Sequence, residues 1–242
     1  MTGSLRFAFV SSSAGSIMDQ VLHHALVRRL TLGLVCDRLC PALDKARAHG
    51  LAVEVIPEPD PDRFGDRLLR YLQDRRVDYV FSFYTQFYSA AVRDAFRDRI
   101  LNFHPSLLPA FKGMDGFGDG CRHGVKFLGS TVELIDEVMD GGKIVMQTLF
   151  PRDPALPDLV LRHRLFVQQC KSLLQAAKWL VDGRLHVNGK RVTVTGARFD
   201  DPEFSPALDW DEARRLEIPF PGAAAFASRA MTGPPLDERR PD

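Results

Sequence analysis

Short apolar runs alternate with amphipathic stretches through the first hundred residues. Runs such as Leu32–Cys36 are apolar throughout, as in strands that are buried on both faces of a sheet. Between the runs, Ser16–Leu30 carries apolar residues at helical spacing. Repeated strand–helix–strand units predict an α/β fold with a doubly wound, mostly parallel sheet. The predicted strands are Leu5–Val10, Leu32–Cys36, Leu51–Ile56, Val77–Phe83 and Ile100–Phe103, and the predicted helices are Ser16–Leu30, Leu39–His49, Phe64–Arg76 and Ser89–Phe96.

The pattern changes after Phe127. Two longer strands, Gly129–Ile135 and Lys143–Phe150, are joined by a short polar segment and predict a late β-hairpin. A long helix is expected over Leu159–Val181, followed by a small hairpin that turns at Asn188–Gly189. We therefore expect one main domain over residues 1–199. Residues 200–242, rich in Pro, Gly and Ala, are expected to be an extension that packs on the core and ends loosely.

Composition and charge narrow the class of partner. Apolar residues make up 45% of the chain and charged residues 26%, the usual balance of a soluble globular protein. The formal net charge is +1, so neither nucleic acid nor a membrane surface is expected to bind through charge. The N-terminal segment lacks the long apolar core of a signal peptide, and we expect a cytoplasmic protein.

The cysteines and histidines are not arranged as metal ligands along the chain. Cys36 and Cys40 are too far apart for the two-residue spacing of zinc and redox sites, and no second pair answers them. We expect reduced thiols and no metal.

A candidate site lies between residues 101 and 147. Asn102 and His104 follow an apolar strand and share one face of it, and the acid Asp140 stands before two glycines. A carboxamide can stabilise an oxyanion, an imidazole can move a proton, and a carboxylate can orient or charge the imidazole. Together they are what acyl transfer requires, although an isolated Asn-x-His is more often structural.

A longer motif around these residues favours the catalytic interpretation over the structural one. The segment NFHPSLLPAFKG, followed by GSTVELIDEVMDGGKIVMQ, resembles the folate-dependent formyltransferases over roughly residues 5–195, most closely their glycinamide ribonucleotide branch. The resemblance implies a Rossmann-like catalytic domain over 1–199 and 10-formyltetrahydrofolate as formyl donor. It implies that Asn102 and protonated His104 stabilise a tetrahedral intermediate, and that Asp140 keeps His104 charged or holds a water that relays the amine's proton.

The resemblance also implies where the folate lies. In the family the folate pocket is built from two loops, mainly through backbone groups, and apolar side chains form its walls. The Leu108–Pro109 peptide is expected to be cis, as it often is in relatives. The matching positions, taken as folate-binding, are Tyr84, Thr85, Gln86, Phe87, Leu101, Ile135, Asp136, Glu137, Val138 and Met139.

The acceptor side departs from the purine enzymes. Their glycine- and asparagine-rich phosphate loop is replaced here by a segment in which Gly15 and Ser16 still precede a helix. An acidic helix residue of the family aligns with Gln169, and the glycine-rich segment after Lys112 predicts a flexible loop whose acids Asp115 and Asp119 are solvated or bind an ammonium group. The acceptor positions by this resemblance are Ser13, Gly15, Ser16 and Gln169.

These features favour transfer of a formyl group to a primary amine of a small molecule. Three alternatives stay open: glycinamide ribonucleotide formylation in purine synthesis, hydrolysis of 10-formyltetrahydrofolate, and a non-catalytic folate-binding relic. Hydrolases of the family usually carry an extra N-terminal regulatory domain, whereas the strand pattern here begins at Leu5. The partners are thus an amine and a reduced folate, and a homodimer is left open.

Overall fold

A computed structural model describes residues 4–221. An eight-stranded sheet is covered by helices, and a separate two-stranded hairpin follows the longest helix. The strands are β1 (Phe7–Ser11), β2 (Thr31–Cys36), β3 (Ala52–Val55), β4 (Tyr79–Phe83), β5 (Ile100–His104), β6 (Phe127–Leu134), β7 (Lys143–Pro151), β8 (Leu185–Asn188), β9 (Arg191–Val194) and β10 (Phe204–Ser205). The helices are α1 (Ser16–Val21), α2 (Ala25–Leu30), α3 (Ala42–Ala48), α4 (Pro61–Asp74), α5 (Ala90–Ala95), α6 (Gly116–His123), α7 (Asp158–Val181) and α8 (Asp211–Arg215).

The sheet order is β10-β7-β6-β5-β4-β1-β2-β3. The five strands β3, β2, β1, β4 and β5 are parallel, and the order reverses direction along the chain at β1. From β5 onward the pairing is antiparallel, through β6 and β7 to β10. The predicted doubly wound sheet with a late hairpin and a long helix is therefore confirmed. In such sheets ligands bind beyond the carboxyl ends of the parallel strands, where β4 and β5 end side by side.

The sheet separates two layers of apolar packing. On one face, α1, α3 and α7 cover Phe9 and Phe81 of the sheet, and Trp179 of α7 is fully buried in the same layer. On the other face, α4 and α5 cover Val10, Val80 and their neighbours. Because both faces are covered, the central parallel strands are mostly apolar rather than alternating. The polar side chains of β5 are therefore exceptions, and they mark the site.

Two predicted elements differ from the structure. The single helix expected over Ser16–Leu30 is two helices, because His24 adopts an extended backbone (φ −87°, ψ 125°) between α1 and α2. The apolar spacing continues across the break, so periodicity alone could not reveal it. The glycine-rich segment expected as a flexible loop contains helix α6, whose first turn is capped by Asp115 accepting the Gly118 N–H at 3.1 Å.

Part of the C-terminal extension packs on the main body. Strand β10 pairs with the edge of β7, and the buried side chains of Phe204, Leu208 and Leu216 join the core. The Trp210 side chain also packs against it. The expected loose end and Phe226 lie outside the described residues. Within residues 4–221, no helix combines the length and the apolar character needed to cross a membrane.

Candidate active site

Asn102 and His104 are the polar residues at the carboxyl end of β5. As alternate residues of one strand they face the same side of the sheet, and both line a cavity of about 320 Å³ at this edge. That volume lies within the range of small-molecule sites. In the following loop the Ser106 hydroxyl donates to the Ala110 carbonyl at 2.6 Å, and the Leu108–Pro109 peptide is cis, as the resemblance implied.

Both ring nitrogens of His104 face oxygen acceptors. Nε2 lies 2.9 Å from the Phe111 carbonyl oxygen, and Nδ1 lies 3.4 Å from Oδ1 of Asp140. A carbonyl and a carboxylate only accept hydrogen bonds, so the doubly protonated ring satisfies both neighbours. The Nδ1–Oδ1 separation is longer than an ordinary hydrogen bond, which leaves the Nδ1 proton available to a reacting oxygen or a relay water.

Asp140 is held in position by a backbone hydrogen bond from the loop that follows β5. Its Oδ2 accepts the Gly113 N–H at 2.7 Å, and its side chain is 8% exposed. The backbone φ of 51° is in the left-handed region, which Asp and Asn tolerate better than other side chains. Asp140 is 36 residues after His104 in the chain, and the turn before β7 places its carboxylate beside the imidazole. The acyl-transfer interpretation requires this arrangement.

Glu133 is a residue at the site that the motif did not reveal. It lies on β6 directly opposite Asn102 and is 1% exposed. Its Oε1 accepts Asn102 Nδ2 at 3.1 Å, and its Oε2 accepts the Gly142 N–H at 2.8 Å. Burial raises the pKa of the Glu133 carboxyl, while these two donors oppose the shift. The signal in the sequence was an acid within a strand of otherwise buried residues.

Most of the expected folate residues line the cavity. The Thr85 N–H donates to Ser12 Oγ at 3.2 Å, which ties the first loop to the end of β1. The Tyr84 ring stacks on Phe64 with centroids 4.9 Å apart, and burial raises the pKa of Tyr84 to about 12, so its phenol stays neutral. The expected folate residues that line the cavity are Tyr84, Thr85, Gln86, Phe87, Ile135, Val138 and Met139.

Three expected folate residues lie elsewhere. The Leu101 side chain is fully buried in the core, because it alternates with Asn102 and so faces away from the cavity. Asp136 and Glu137 border a separate, smaller depression beside Lys143 and Asp98. The second loop therefore meets the cavity with its apolar members, among which Val138 and Met139 are exposed.

The expected acceptor residues divide in the same way. Ser13 and Gln169 line the cavity beside Ile17, and Gln169 Nε2 donates to the Phe103 carbonyl at 3.4 Å. Gly15 packs against Ala42, and Ser16 Oγ accepts from Lys45 Nζ at 3.1 Å, outside the cavity lining. The Ser13 N–H donates to Ser11 Oγ at 3.1 Å, so this amide is already used.

The acids of the glycine-rich segment are paired rather than directed at the cavity. Asp115 contacts Arg122 at 3.0 Å and Arg162 at 3.5 Å, and Asp119 also pairs with Arg122. Arg162 in turn lies over the buried Phe117 ring, 4.2 Å from its centroid. Asp115 and Asp119 therefore stabilise α6 through these ion pairs.

One other cluster of ionisable groups stands apart from the cavity. Asp19, His23 and His49 bring potential metal-ligand atoms within 4.8 Å of one another, although their spacing along the chain gave no sign of it. His49 Nε2 lies 2.9 Å from Asp19 Oδ1, and this hydrogen bond between α1 and the end of α3 accounts for the contact.

Gly116 leaves the space that the His104 imidazole occupies. A Cβ atom at this position would lie 2.8 Å from His104 Nε2 and 2.8 Å from the Phe111 oxygen, at the hydrogen bond between them. We expect Gly116→Ala to displace the ring and to lower kcat by about tenfold or more, since small misplacements at a reacting centre are costly. The matched control is Gly120→Ala in the same helix, where the nearest atom is a Leu128 methyl at 3.3 Å. Equal kcat values for the two variants in a steady-state assay would contradict this role.

Known proteins share both the fold and the motif. The family model described as formyl transferase matches residues 5–176. The phosphoribosylglycinamide formyltransferase of Mycobacterium tuberculosis is 29% identical over 203 residues, covering 78% of this chain and 94% of the relative. That of Bacillus subtilis is 34% identical over 150 residues, covering 59% and 77%. The structure of glycinamide ribonucleotide transformylase 1 from Symbiobacterium toebii superposes with a TM-score of 0.74 at 28% identity, covering 80% and 95%.

A formyltetrahydrofolate deformylase from Pseudomonas syringae pv. tomato also superposes, with a TM-score of 0.72. At 18% identity, covering 80% of this chain and 66% of that one, this likeness shows the fold alone.

The cavity at the carboxyl ends of the parallel strands holds an amide, an imidazole and a carboxylate, and the family match gives the class, an enzyme of formyl transfer. The chain belongs to the formyl transferase family. It is a folate-dependent N-formyltransferase whose co-substrate is 10-formyltetrahydrofolate.

Proposed function

We propose that this enzyme formylates a primary amine of a small molecule that carries no phosphate at the cavity. The observation that carries the proposal is the charge of the lining. Among the described residues no lysine or arginine lines the cavity, whereas the carboxyl groups of Glu133 and Asp140 do. An anionic group would meet no lysine or arginine there, while an ammonium group would meet Asp140.

The acceptor side of the cavity is small and neutral. Ser13, Ile17 and Gln169 offer a hydroxyl, an apolar wall and an amide. The helix that begins at Ser16 is only six residues long, and the Ser13 amide is engaged by Ser11. Lys45 contacts Ser16 outside the cavity lining, so within the cavity this segment supports a neutral or cationic acceptor better than it supports a phosphate.

The proposed chemistry is direct transfer. The neutral amine nitrogen attacks the formyl carbon of 10-formyltetrahydrofolate, and the carbonyl electron pair moves to oxygen. Asn102 Nδ2–H and His104 stabilise that oxyanion, each good donor contributing roughly 3–4 kcal/mol. The amine's proton passes to N10 of the folate through Asp140 and a water, the carbon–N10 bond breaks, and the products are the formamide and tetrahydrofolate. Loops 84–87 and 135–140 are proposed to hold the folate ring through the residues that line the cavity.

Glycinamide ribonucleotide is the second candidate acceptor. The observation that favours it is the match to the Mycobacterium tuberculosis relative, which spans 94% of that protein. The homodimer also stays a prediction, to be checked by the molar mass in solution.

A panel of amines separates these candidates. The purified enzyme is given 10-formyltetrahydrofolate with glycinamide ribonucleotide, its dephosphorylated nucleoside, or phosphate-free amines, and tetrahydrofolate formation is followed by absorbance. We expect kcat/KM for the best phosphate-free amine to exceed that for glycinamide ribonucleotide by about tenfold or more.

The opposite preference would establish the second candidate. Equal rates of folate formation with and without any amine, accompanied by formate, would identify a hydrolase instead. Tight folate binding without turnover under all of these conditions would identify a non-catalytic relic.

A further inference from the structure

Glu133 is a buried acid with no lysine or arginine paired to it in the described part of the chain. Within residues 4–221, no lysine or arginine nitrogen lies within 4 Å of its carboxylate. Burying a carboxylate without such a partner is costly, and a purely structural position on a strand would accommodate an apolar residue more easily. Its two oxygens are used instead by an amide side chain and a backbone N–H.

The first oxygen determines which way the Asn102 amide faces. An asparagine side chain has a donor end and an acceptor end of nearly the same shape, and only the NH₂ end can stabilise an oxyanion. An ionised carboxylate only accepts hydrogen bonds, so Glu133 Oε1, 3.1 Å from Nδ2, requires the NH₂ end toward β6. One N–H is used by Glu133, and the second remains for the cavity that Asn102 lines.

The second oxygen connects this amide to the turn that carries Asp140. Glu133 Oε2 accepts the N–H of Gly142, two residues after Asp140. A Cβ atom on residue 142 would lie 2.8 Å from Oε2 and 2.2 Å from the Leu134 oxygen, so a glycine is needed for this approach. One carboxylate thus holds both the donor on β5 and the turn before β7.

We propose that Glu133 is a positioning residue that fixes the NH₂ end of Asn102 toward the reacting oxygen and couples it to the Asp140 turn. This inference rests on the proposed function, because it assigns Asn102 the stabilisation of the oxyanion. Glu133 acts through Asn102 and need not contact either substrate.

The variant Glu133→Gln tests the proposal without removing a hydrogen bond. The Gly142 N–H requires the oxygen of the substituted side chain, which leaves the nitrogen of its amide to face Asn102. That donor is satisfied only if the Asn102 amide turns over and presents Oδ1. We therefore expect a stable protein in which the reacting oxygen meets the wrong end of Asn102. The expected kcat loss is about 10²-fold, as for loss of one oxyanion donor, with KM for the folate changed by less than about threefold.

A double-mutant cycle distinguishes positioning from a general structural effect. Once Asn102→Ala has removed the amide, Glu133→Gln should lower kcat by no more than about threefold further. The matched control Glu217→Gln removes an exposed acid far along the chain and should leave kcat unchanged. Melting temperature and tetrahydrofolate affinity, measured on every variant, verify that each one folds and binds.

Three outcomes would overturn the proposal: wild-type kcat in Glu133→Gln, full multiplication of the two effects in the double variant, or loss of folding in Glu133→Gln. The assay uses the amine with the highest turnover in the panel described above. If the wild-type enzyme formylates no amine, the proposed function fails, whereas an active wild type with an unaffected Glu133→Gln variant refutes only the role of Glu133.

Discussion

Replacing His104 by alanine should lower kcat by about 10³-fold or more while the protein still binds tetrahydrofolate. The variant loses a donor to the oxyanion and also the group between Asp140 and the reacting centre, and each effect alone is worth about 10²-fold or more. The imidazole also donates to the Phe111 carbonyl at 2.9 Å, so the loop before Gly113 should loosen slightly.

The measurement is single-turnover formyl transfer together with tetrahydrofolate affinity. The matched control is His186→Ala, since His186 is exposed on β8 and contacts Thr195, away from the cavity. We expect that control to behave as wild type. If His104→Ala retains more than about one tenth of the wild-type rate, the imidazole does not take part in the reaction.

The second large effect is expected for Asp140→Asn. Asparagine tolerates the left-handed φ of 51° as aspartate does, and its side-chain oxygen can still accept the Gly113 N–H. The substitution therefore removes the charge beside His104 and the proton acceptor, with little change in shape. We expect kcat to fall by about 10²- to 10⁴-fold, the usual range for a lost general acid or base, while folate affinity changes by less than about threefold.

Asp140→Ala provides the comparison for backbone strain. Alanine disfavours the left-handed region, so this variant should lose stability as well as activity, whereas Asp140→Asn should melt close to the wild type. Asp44→Asn, at an exposed position on α3, controls for the loss of one acid. If Asp140→Asn is as active as Asp44→Asn, the carboxylate has no part in moving the proton.

The strands and the motif were predictable because each is a local pattern. Continuous apolar runs such as Leu32–Cys36 show the parallel strands, since both faces of the sheet are covered. Asn102 and His104 stand out as polar residues at the end of such a run. Asp140 could be linked to this pair only through the family motif. The structure shows that the antiparallel strands β6 and β7 bring the turn that carries Asp140 beside β5.

What the sequence did not reveal depends on register and on neighbours far along the chain. Glu133 meets Asn102 because the two residues pair across β5 and β6, a relation that periodicity cannot supply. Gly116 resembled a flexible-loop glycine until the structure placed it against the His104 ring. Leu101 was expected at the pocket wall, yet strand alternation turns it into the core once Asn102 faces the cavity.

The charge of the cavity is likewise a property of the folded chain. The overall net charge of +1 gives no hint of it, because the arginines of α6 and α7 pair with acids on the surface. The lining keeps two carboxyl groups and no lysine or arginine among the described residues. This contrast is the physical basis for proposing a phosphate-free amine.

The most direct test of the account is a crystal structure of the enzyme with bound 10-formyltetrahydrofolate or tetrahydrofolate. The account predicts the folate ring between loops 84–87 and 135–140, with N10 beside His104 and the Asn102 NH₂ group, which should lie about 3 Å from the position of the formyl oxygen. A folate bound elsewhere, or one whose N10 lies beyond the reach of Asn102, His104 and Asp140, would contradict it.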